Sequence, residues 1–390
     1  MNRNLPGVDI TIERGLGFKR VVPLRVGALV PKDVSLTLLK SWKEAKENIA
    51  DGELLKLLYD FFLNGGGEIL LHGYSVGADW SATAGNILSA ASDLLTWRDE
   101  FGEGIEFYIL PISLSSVQPS DTEYADLVRA IGNLNDTAWQ DEQYPVFTLM
   151  DARKKGDSES ISAYVGALSS MGASLLSSWS SSARVAIFLS YSRMMNEDGS
   201  AEERTALFAI AGRLNSAPFH HSIAWVERMS ISNALEILPK TSDTDRLDED
   251  RIASLDESHI NALRLFPGYG ILPHYDWMIA RPDDDYQNIR YRRIMDEAIR
   301  RVKRAFIPFI NSPGVDAASL QVLKAALERP LDEITASPDN PDAPIHAYRL
   351  QLEPDPEVLL NGIIHAQLDI VPTGSKRTLK GVFKLVKEIK

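Results

Sequence analysis

Short apolar runs alternate with longer amphipathic segments from residue 68 to residue 227. The apolar runs, which predict strands, are 68–73, 105–110, 145–150, 184–190 and 222–227. The segments between them repeat apolar residues every three or four positions and predict helices near 81–97, 121–134, 157–179 and 201–214. Strands that are apolar at nearly every position are typical of a parallel sheet covered on both faces. The alternation of strand and helix therefore predicts an α/β layered domain.

Two further segments flank this alternating region. A strand is predicted at 21–30, and helical periodicity runs from about Asp33 to Asn64. The polar, acidic stretch 240–257 predicts a linker. Its aspartates at 243, 245 and 248 have a spacing similar to that of a calcium loop, but the turn glycine and the closing glutamate are missing. We therefore interpret the stretch as a solvated loop and not as a metal site.

The region after residue 256 has a different pattern. Residues 290–313 predict a helix with one apolar stripe, formed by Met295, Ile299, Val302 and Phe306. The opposite stripe is charged and holds Arg293, Glu297, Arg300 and Arg304, with Arg290 and Arg301 beside it. Residues 345–352 and 363–371 alternate between apolar and polar and predict strands. The arginine stripe can be an ordinary solvated face or a contact strip for an acidic partner.

Both ends of the chain have the pattern of short strands. Near the N-terminus, Val8, Ile10 and Ile12 alternate with polar residues. The basic C-terminal tail after Pro372 carries the apolar residues Phe383, Leu385, Val386 and Ile389. An isolated strand cannot satisfy its backbone hydrogen-bonding groups, so it must pair with its own chain or extend a sheet in a neighbour. The pattern leaves both possibilities open.

The stretch "EILLHGYSVGADWSATAGNIL" (68–88) has the strand, Gly-x-Ser-x-Gly turn and helix of a nucleophile elbow, with Ser75 at its centre. A later acid, Asp151, and then His220 or His221 follow in the chain order of α/β-hydrolases. However, too few strands precede the turn, no upstream glycine-rich loop can form an oxyanion hole, and Asp79 is bulky where the helix must pack. We therefore favour an ordinary strand-to-helix turn in which Ser75 or Asp79 caps the helix.

Composition and charge exclude several classes of protein. The 390 residues are 44% hydrophobic and 24% charged, and the absence of cysteine excludes disulfides and thiolate metal sites. No apolar run approaches the roughly 20 residues that span a bilayer. The net charge of −13 argues against a nucleic-acid-binding protein. No phosphate-binding loop, dinucleotide fingerprint or metal-binding histidine pair is present, so we predict neither an enzyme nor a cofactor.

The segment "MIARPDDDYQNIRYRRIMDEAIRRVKRAFIPFINSP" resembles the C-terminal region of contractile-tail sheath proteins of phage tails, R-type pyocins and contractile injection systems. The positions that carry the resemblance are Arg281, Asn288, Ile289, Arg290, Arg292, Arg293, Phe309 and Asn311. The closing pattern of that family is similar to Val358–Leu360, Gly362–Val371, Pro372 and Leu379–Ile389. Pro282 departs from the threonine that usually follows the arginine.

The resemblance implies a fold and a domain organisation. The fold would be α/β, or α+β overall, in which a layered α/β domain is followed by a C-terminal mixed α/β sheath-type domain, with extended strand arms at both ends. The N-terminal arm would be 1–20 and the α/β domain 21–255. The sheath domain would be 256–372, facing a tube, and the C-terminal arm 373–390.

The resemblance also implies a mechanical function. Subunits would form hexameric rings stacked as a helical sheath around an inner tube, and contraction would drive the tube through a target envelope. Partners would be other copies, the tube protein, and baseplate and terminator proteins, but neither nucleic acid nor an inserted membrane. The protein would be made in the bacterial cytoplasm and act in the tail of a virion or injection system. The arginines Arg290, Arg293, Arg300, Arg301 and Arg304 would contact the tube.

Two alternatives stay open. The first is a serine hydrolase that uses Ser75. The second is a tail terminator or baseplate component that shares the sheath fold.

Overall fold

A computed structural model describes residues 25–97, 104–142, 144–178, 184–242, 245–281, 284–309, 317–338, 340, 342–354 and 364–374. The chain divides into two compact units, unit 1 up to Asp296 and unit 2 from Glu297. No helix in these described ranges is long and apolar enough to cross a membrane.

Unit 1 contains most of the regular structure. Its strands are β1 (Arg25–Val30), β2 (Thr37–Leu39), β3 (Ile69–Gly73), β4 (Ile105–Leu110), β5 (Phe147–Asp151), β6 (Val185–Leu189), β7 (Tyr191–Met195), β8 (Ala201–Thr205), β9 (Ala234–Ile237), β10 (Ile260–Phe266) and β11 (Gly270–Pro273). Its helices are α1 (Trp42–Asn48), α2 (Gly52–Leu63), α3 (Trp80–Thr96), α4 (Asp121–Glu142), α5 (Ile161–Ser178), α6 (Leu207–Ser216) and α7 (Glu249–Glu257). Helix α8 (Ile289–Phe306) begins in unit 1 and ends in unit 2.

An eight-stranded sheet forms the centre of unit 1. Its order is β11-β10-β6-β5-β4-β1-β3-β2, and the six inner strands are parallel. The edge strands β2 and β11 run antiparallel to their neighbours. Strands β4, β5 and β6 are buried at every position because helices cover both faces of the sheet. The predicted α/β fold is confirmed.

Two apolar layers enclose this sheet. Tyr108 and Leu110 of β4 belong to the layer that contains α3, α4, α5 and α7. Phe107 and Ile109 of the same strand belong to the other layer, with α1, α2 and α6. Successive side chains of a strand point to opposite faces, so alternate residues enter different layers.

A second, antiparallel sheet of unit 1 has the order β8-β7-β9. A buried polar network attaches it to α2, where Arg204 donates from Nε and Nη2 to the two carboxylate oxygens of Asp60 at 2.7 and 2.8 Å. Asn233 also donates to Asp60, at 2.6 Å. Every charged partner in this network has a hydrogen bond, which compensates for its removal from water.

Unit 2 is smaller. It contains the end of α8, the helix α9 (Ala317–Asp332), and the strands β12 (Ile345–Pro354) and β13 (Ile364–Pro372). Its apolar core is centred on Leu323, Leu327 and Leu350. The predicted strands at 345–352 and 363–371 thus pair with each other as an antiparallel ribbon.

Four predictions of secondary structure are wrong. The predicted helical segment Asp33–Asn64 contains strand β2 before its two helices, α1 and α2. Residues 222–227 form turns, with Trp225 N–H donating to the Ser222 carbonyl at 3.1 Å, and Ile223 alone anchors the segment in the core. The predicted helix 201–214 begins with strand β8, whose polar residues pair with β7. The predicted linker 240–257 contains α7, which Asp248 caps by accepting from Arg251 N–H at 3.0 Å.

Candidate functional site

The turn around Ser75 joins β3 to α3. Ser75 is exposed, whereas Asp79 caps α3 by accepting a hydrogen bond from Ala82 N–H at 2.9 Å. A Cβ atom on Gly73 would lie 2.1 Å from the carbonyl oxygen of Lys32, so only glycine fits there. The glycine is therefore explained by close backbone packing, as expected for an ordinary strand-to-helix turn.

The structure does not bring Ser75 together with the predicted acid. Asp151 lies at the end of β5, and β4 and β1 separate that strand from β3. The Asp151 carboxylate is buried and accepts hydrogen bonds from the backbone N–H (3.1 Å) and the hydroxyl of Ser113. His220 and His221 stack edge-on against each other, and His221 packs on Trp225. Asp151 thus orients Ser113 and not a histidine, and no triad is assembled around Ser75.

The helical wheel of α8 predicts the wrong buried face. Arg293 is buried and pairs with Glu106 of β4, donating from Nε at 2.7 Å and from Nη2 at 3.3 Å. Arg290 and Arg300 are buried as well. In the predicted apolar stripe, by contrast, Met295, Ile299 and Val302 are only half-buried and Phe306 is exposed. A side chain enclosed by its own chain offers no surface to a partner. Both interpretations of the stripe, as a solvated face and as a contact strip for a partner, are therefore wrong for Arg290, Arg293 and Arg300.

The two remaining arginines of the strip lie toward the end of α8. Arg301 donates to Glu297 from Nε at 2.8 Å, with a second carboxylate, Glu333, 3.5 Å from Nη1. Arg304 is half-buried. Beyond them, Phe306 and Ile307 are exposed, and Ile307 has 62% of its surface accessible. The accessible part of this segment is thus its C-terminal end, where basic and apolar side chains occur together.

The sequence contains one indication that α8 carries buried charges. Glu106 stands in the otherwise apolar run IEFYIL, and a lone carboxylate inside a buried strand requires a buried cation. Arg184, next to β6, meets Asp296 of α8, with Nη1 and Oδ2 3.2 Å apart. Both partners lie more than 100 residues from α8, so the pairing itself was not predictable from the helix pattern.

The β12–β13 ribbon has one packed face and one open face. Tyr348, Leu350 and Leu352 of β12 pack against the core of unit 2 together with Leu368 of β13. On the other face, Arg349 pairs with Asp369 at 2.5 Å, and Val371 keeps 55% of its surface accessible. Opposite faces of a ribbon alternate along each strand, which explains this division.

Both long edges of this ribbon are open over most of the length that the structure describes. There β13 pairs with β12 alone, and β12 has only one further bridge, from Ile345 to Thr335. A two-stranded ribbon is marginal by itself, and an open edge presents unpaired N–H and C=O groups to another strand. The ribbon can therefore accept additional strands.

The predicted strand arms lie outside the described residues. This applies to Val8, Ile10 and Ile12 of the N-terminal arm and to Phe383, Leu385, Val386 and Ile389 of the C-terminal arm. The last described residues, Thr373 and Gly374, leave the end of β13. Within the described part of the chain, no group of three or more His, Asp or Glu side chains can hold a metal ion.

Two family models match the chain. The N-terminal domain model of DUF2586 matches residues 21–270, and the C-terminal domain model of DUF2586 matches residues 285–390. No curated protein sequence matches the chain.

Solved structures with the same fold come from contractile injection systems. A chain in the cryo-EM structure of the anti-feeding prophage baseplate, 6-fold symmetrised, has a TM-score of 0.62 and 18% identity over 99% of this chain and 100% of its own. A chain of the sheath complex of an extracellular contractile injection system, PVC, in the contracted state has a TM-score of 0.62 and 13% identity. That match covers 100% of this chain and 99% of the PVC chain. A chain of the contracted helical sheath of the anti-feeding prophage has a TM-score of 0.56 and 17% identity, and the match covers 99% of this chain and 100% of the sheath chain. The predicted resemblance to sheath-type proteins is confirmed for the fold.

Proposed function

The chain belongs to the DUF2586 family, and from its fold we propose that it is a structural subunit of a contractile tail sheath. The observation that carries the proposal is the fold match over essentially the whole chain to components of contracted sheaths and of a baseplate. The match covers both units, which supports the same architecture for each of them. Subunits would stack as six-membered rings around an inner tube, and the 6-fold symmetry of one similar assembly supports that number.

The β12–β13 ribbon is the proposed joint between subunits. Its open edges would receive the strand arms 1–20 and 373–390 of neighbouring copies, by the β-augmentation mode. The alternating residues of those arms suit a strand that covers one apolar and one polar face. Main-chain hydrogen bonds would then hold adjacent subunits while their bodies change position. Such a tether permits the rigid-body movement that contraction requires.

We place the tube contact at the end of α8. Arg301 and Arg304 are the members of the predicted strip that keep accessible surface, and exposed Phe306 and Ile307 follow them. A basic and apolar surface can meet an acidic tube, with charge setting orientation and the apolar side chains adding affinity.

Contraction in this proposal is driven by contacts and not by catalysis. The free energy would come from lateral contacts that form in the contracted packing. The protein would act as a non-enzymatic component of an assembled tail, made in the cytoplasm and released with a virion or an injection system.

Electron microscopy of the concentrated protein tests the joint. The full chain should polymerise into long cylinders, alone or with its tube, when viewed in negative stain. Deleting residues 375–390 should leave a folded subunit that no longer polymerises. Val371→Lys, which places a charge on the exposed edge strand, should weaken polymerisation, because lysine on an edge opposes strand addition.

The matched control is Ser81→Lys, which adds the same charge at an exposed position of α3. It should polymerise as the parent does. Normal cylinders from the deletion variant would contradict the strand-exchange joint. A single ring at the end of a tube, at every protein concentration, would instead favour the terminator or baseplate alternative.

A further inference from the structure

Asp151 differs from the other buried carboxylates that the structure describes. Each of the others lies near an arginine: Asp60 near Arg204, Glu106 near Arg293, Asp136 and Asp296 near Arg184, Asp276 near Arg290, and Glu297 near Arg301. Asp151 is 2% exposed, and among the described residues it forms no ion pair with a lysine or arginine. Burial of a carboxylate without a cation favours its protonated form.

Uncharged groups surround Asp151 inside unit 1. The backbone N–H and the hydroxyl of Ser113 donate to its two carboxylate oxygens. Four tyrosines from separate elements interact with it, namely Tyr74 after β3, Tyr124 of α4, Tyr164 of α5 and Tyr191 of β7. Burial raises the pKa of each tyrosine hydroxyl, so all four stay neutral at pH 8. None of these groups supplies a positive charge to balance an ionised Asp151.

A cavity at the carboxyl ends of β5 and β6 borders Asp151. Its volume is about 360 Å³, which is enough for several water molecules. The cations in its lining are paired elsewhere or exposed: Arg153 pairs with Asp121 and Glu159, Lys240 pairs with Glu236, Lys155 Nζ donates to the carbonyls of Gly156 and Glu159, and Lys154 is exposed. The other two carboxylates of the lining, Asp157 and Glu203, are exposed. Water from this cavity is therefore the available source of hydration for the Asp151 carboxylate.

We propose that Asp151 is a proton-operated switch in unit 1, which keeps its surroundings closed when neutral and favours an open form, with water at the carboxylate, when ionised. Any conformation that exposes the carboxyl to water restores its ordinary acidity, so ionisation favours that conformation over the closed one. The opening involves the segment 111–118, because Ser113 belongs to it. The inference concerns unit 1 alone and does not rest on the sheath function.

The pH range of the switch follows from the acidity of the two forms. In the closed form burial raises the pKa of Asp151 from 3.8 to about 7, although the hydrogen bonds from Ser113 oppose the shift. In an open or unfolded form the carboxyl loses its proton near the ordinary value. The closed form thus has its full stability below that value and loses it as pH rises through about 7.

Urea unfolding of the full chain at pH 6 and pH 8 tests the proposal. Tryptophan fluorescence reports on unit 1, because all seven tryptophans lie in it. The comparison is with Asp151→Asn, which stays neutral at both pH values. The unfolding constant of the parent, divided by that of the variant, should be about tenfold larger at pH 8, and this ratio cancels the other titrating groups.

The matched control is Asp157→Asn, which removes an exposed carboxylate from the same cavity lining. The ratio of the parent's unfolding constant to that of the control should be the same at both pH values. Equal ratios at pH 6 and pH 8 for Asp151→Asn would overturn the proposal. A change with pH for Asp157→Asn as large as that for Asp151→Asn would also overturn it.

Amide hydrogen exchange locates the opening. After correction for the intrinsic effect of pH on exchange, protection of the 111–118 amides should fall from pH 6 to pH 8 in the parent. It should not fall in Asp151→Asn. Ser113→Ala removes a hydroxyl that donates to the carboxylate, so it should move the midpoint of this change to higher pH. Unchanged protection in the parent, or a midpoint moved to lower pH in Ser113→Ala, would contradict the switch.

Discussion

Paired charges inside unit 1 act at the scale of single residues. Arg293 and Glu106 are both almost fully buried and joined by two hydrogen bonds. The attraction between such partners is largely offset by the cost of removing both from water. Their effect on stability therefore depends on whether the pair is broken or replaced as a whole.

Arg293→Leu should destabilise unit 1 by about 3–5 kcal/mol, because it leaves the Glu106 carboxylate buried without its cation. Adding Glu106→Leu should recover much of that loss, since no unpaired charge remains. Urea unfolding followed by circular dichroism measures both free energies. The control Lys56→Ala removes the exposed pair with Glu202 and should change the free energy of unfolding little. A double variant as unstable as the single one would contradict this account.

At the scale of elements, the start of α3 explains the Gly-x-Ser-x-Gly motif, whose role the sequence alone leaves open between a nucleophile elbow and an ordinary turn. The Gly-Tyr-Ser-Val-Gly turn supplies close packing at Gly73 and positions Asp79 as the cap of α3. Its serine makes no contact with Asp151, which binds Ser113. The turn therefore serves the fold of unit 1.

Asp79→Ala should lower the free energy of unfolding by about 1 kcal/mol, because the N–H of Ala82 loses its partner. Ser75→Ala, at an exposed position of the same turn, should leave it unchanged. Thermal unfolding of both variants measures the difference. A fluorophosphonate probe should not label the parent chain, and labelling that Ser75→Ala abolishes would restore the hydrolase alternative.

At the scale of the whole molecule, the two units have very different cores. Unit 1 has an extensive apolar layer on each face of its sheet. The core described in unit 2 is a small cluster around Leu323, Leu327 and Leu350. Stability of a unit increases with the apolar area that it buries, so unit 2 depends more on added contacts.

Differential scanning calorimetry of the free subunit should therefore show two transitions, with unit 2 unfolding at the lower temperature. Polymerisation should raise that transition more than the other, because binding stabilises only the folded form. Leu350→Ala should lower the first transition selectively, because Leu350 is buried in the core of unit 2 and its truncation loses apolar contacts and leaves a cavity that relaxation fills only in part. One transition with equal calorimetric and van't Hoff enthalpies would contradict the prediction of two transitions.

The order of the main elements could be predicted because it depends on local patterns. Buried parallel strands need apolar residues at nearly every position, and covering helices need an apolar face, so β3 to β6 and α3 to α5 are visible in the chain. The motif around α8 and the alternating strands β12 and β13 were sufficient to indicate the sheath-type fold. Strand β8 and helix α7 were missed, since their polar residues are ordered by pairing and capping and not by hydrophobic periodicity.

The sequence by itself determined the α/β layering, the amphipathic helix and the ribbon, because each follows from residues close together in the chain. Only the tertiary structure decided which face of α8 is buried. Arg293 enters the interior because Glu106, 187 residues away in the chain, provides the opposite charge there. The tertiary structure also decided the partner of Asp151, which is Ser113 in the short 3-10 helix that follows β4. A helical wheel predicts that charged side chains face the solvent. In the folded protein a charged side chain can be buried where an element distant in the chain supplies an oppositely charged partner.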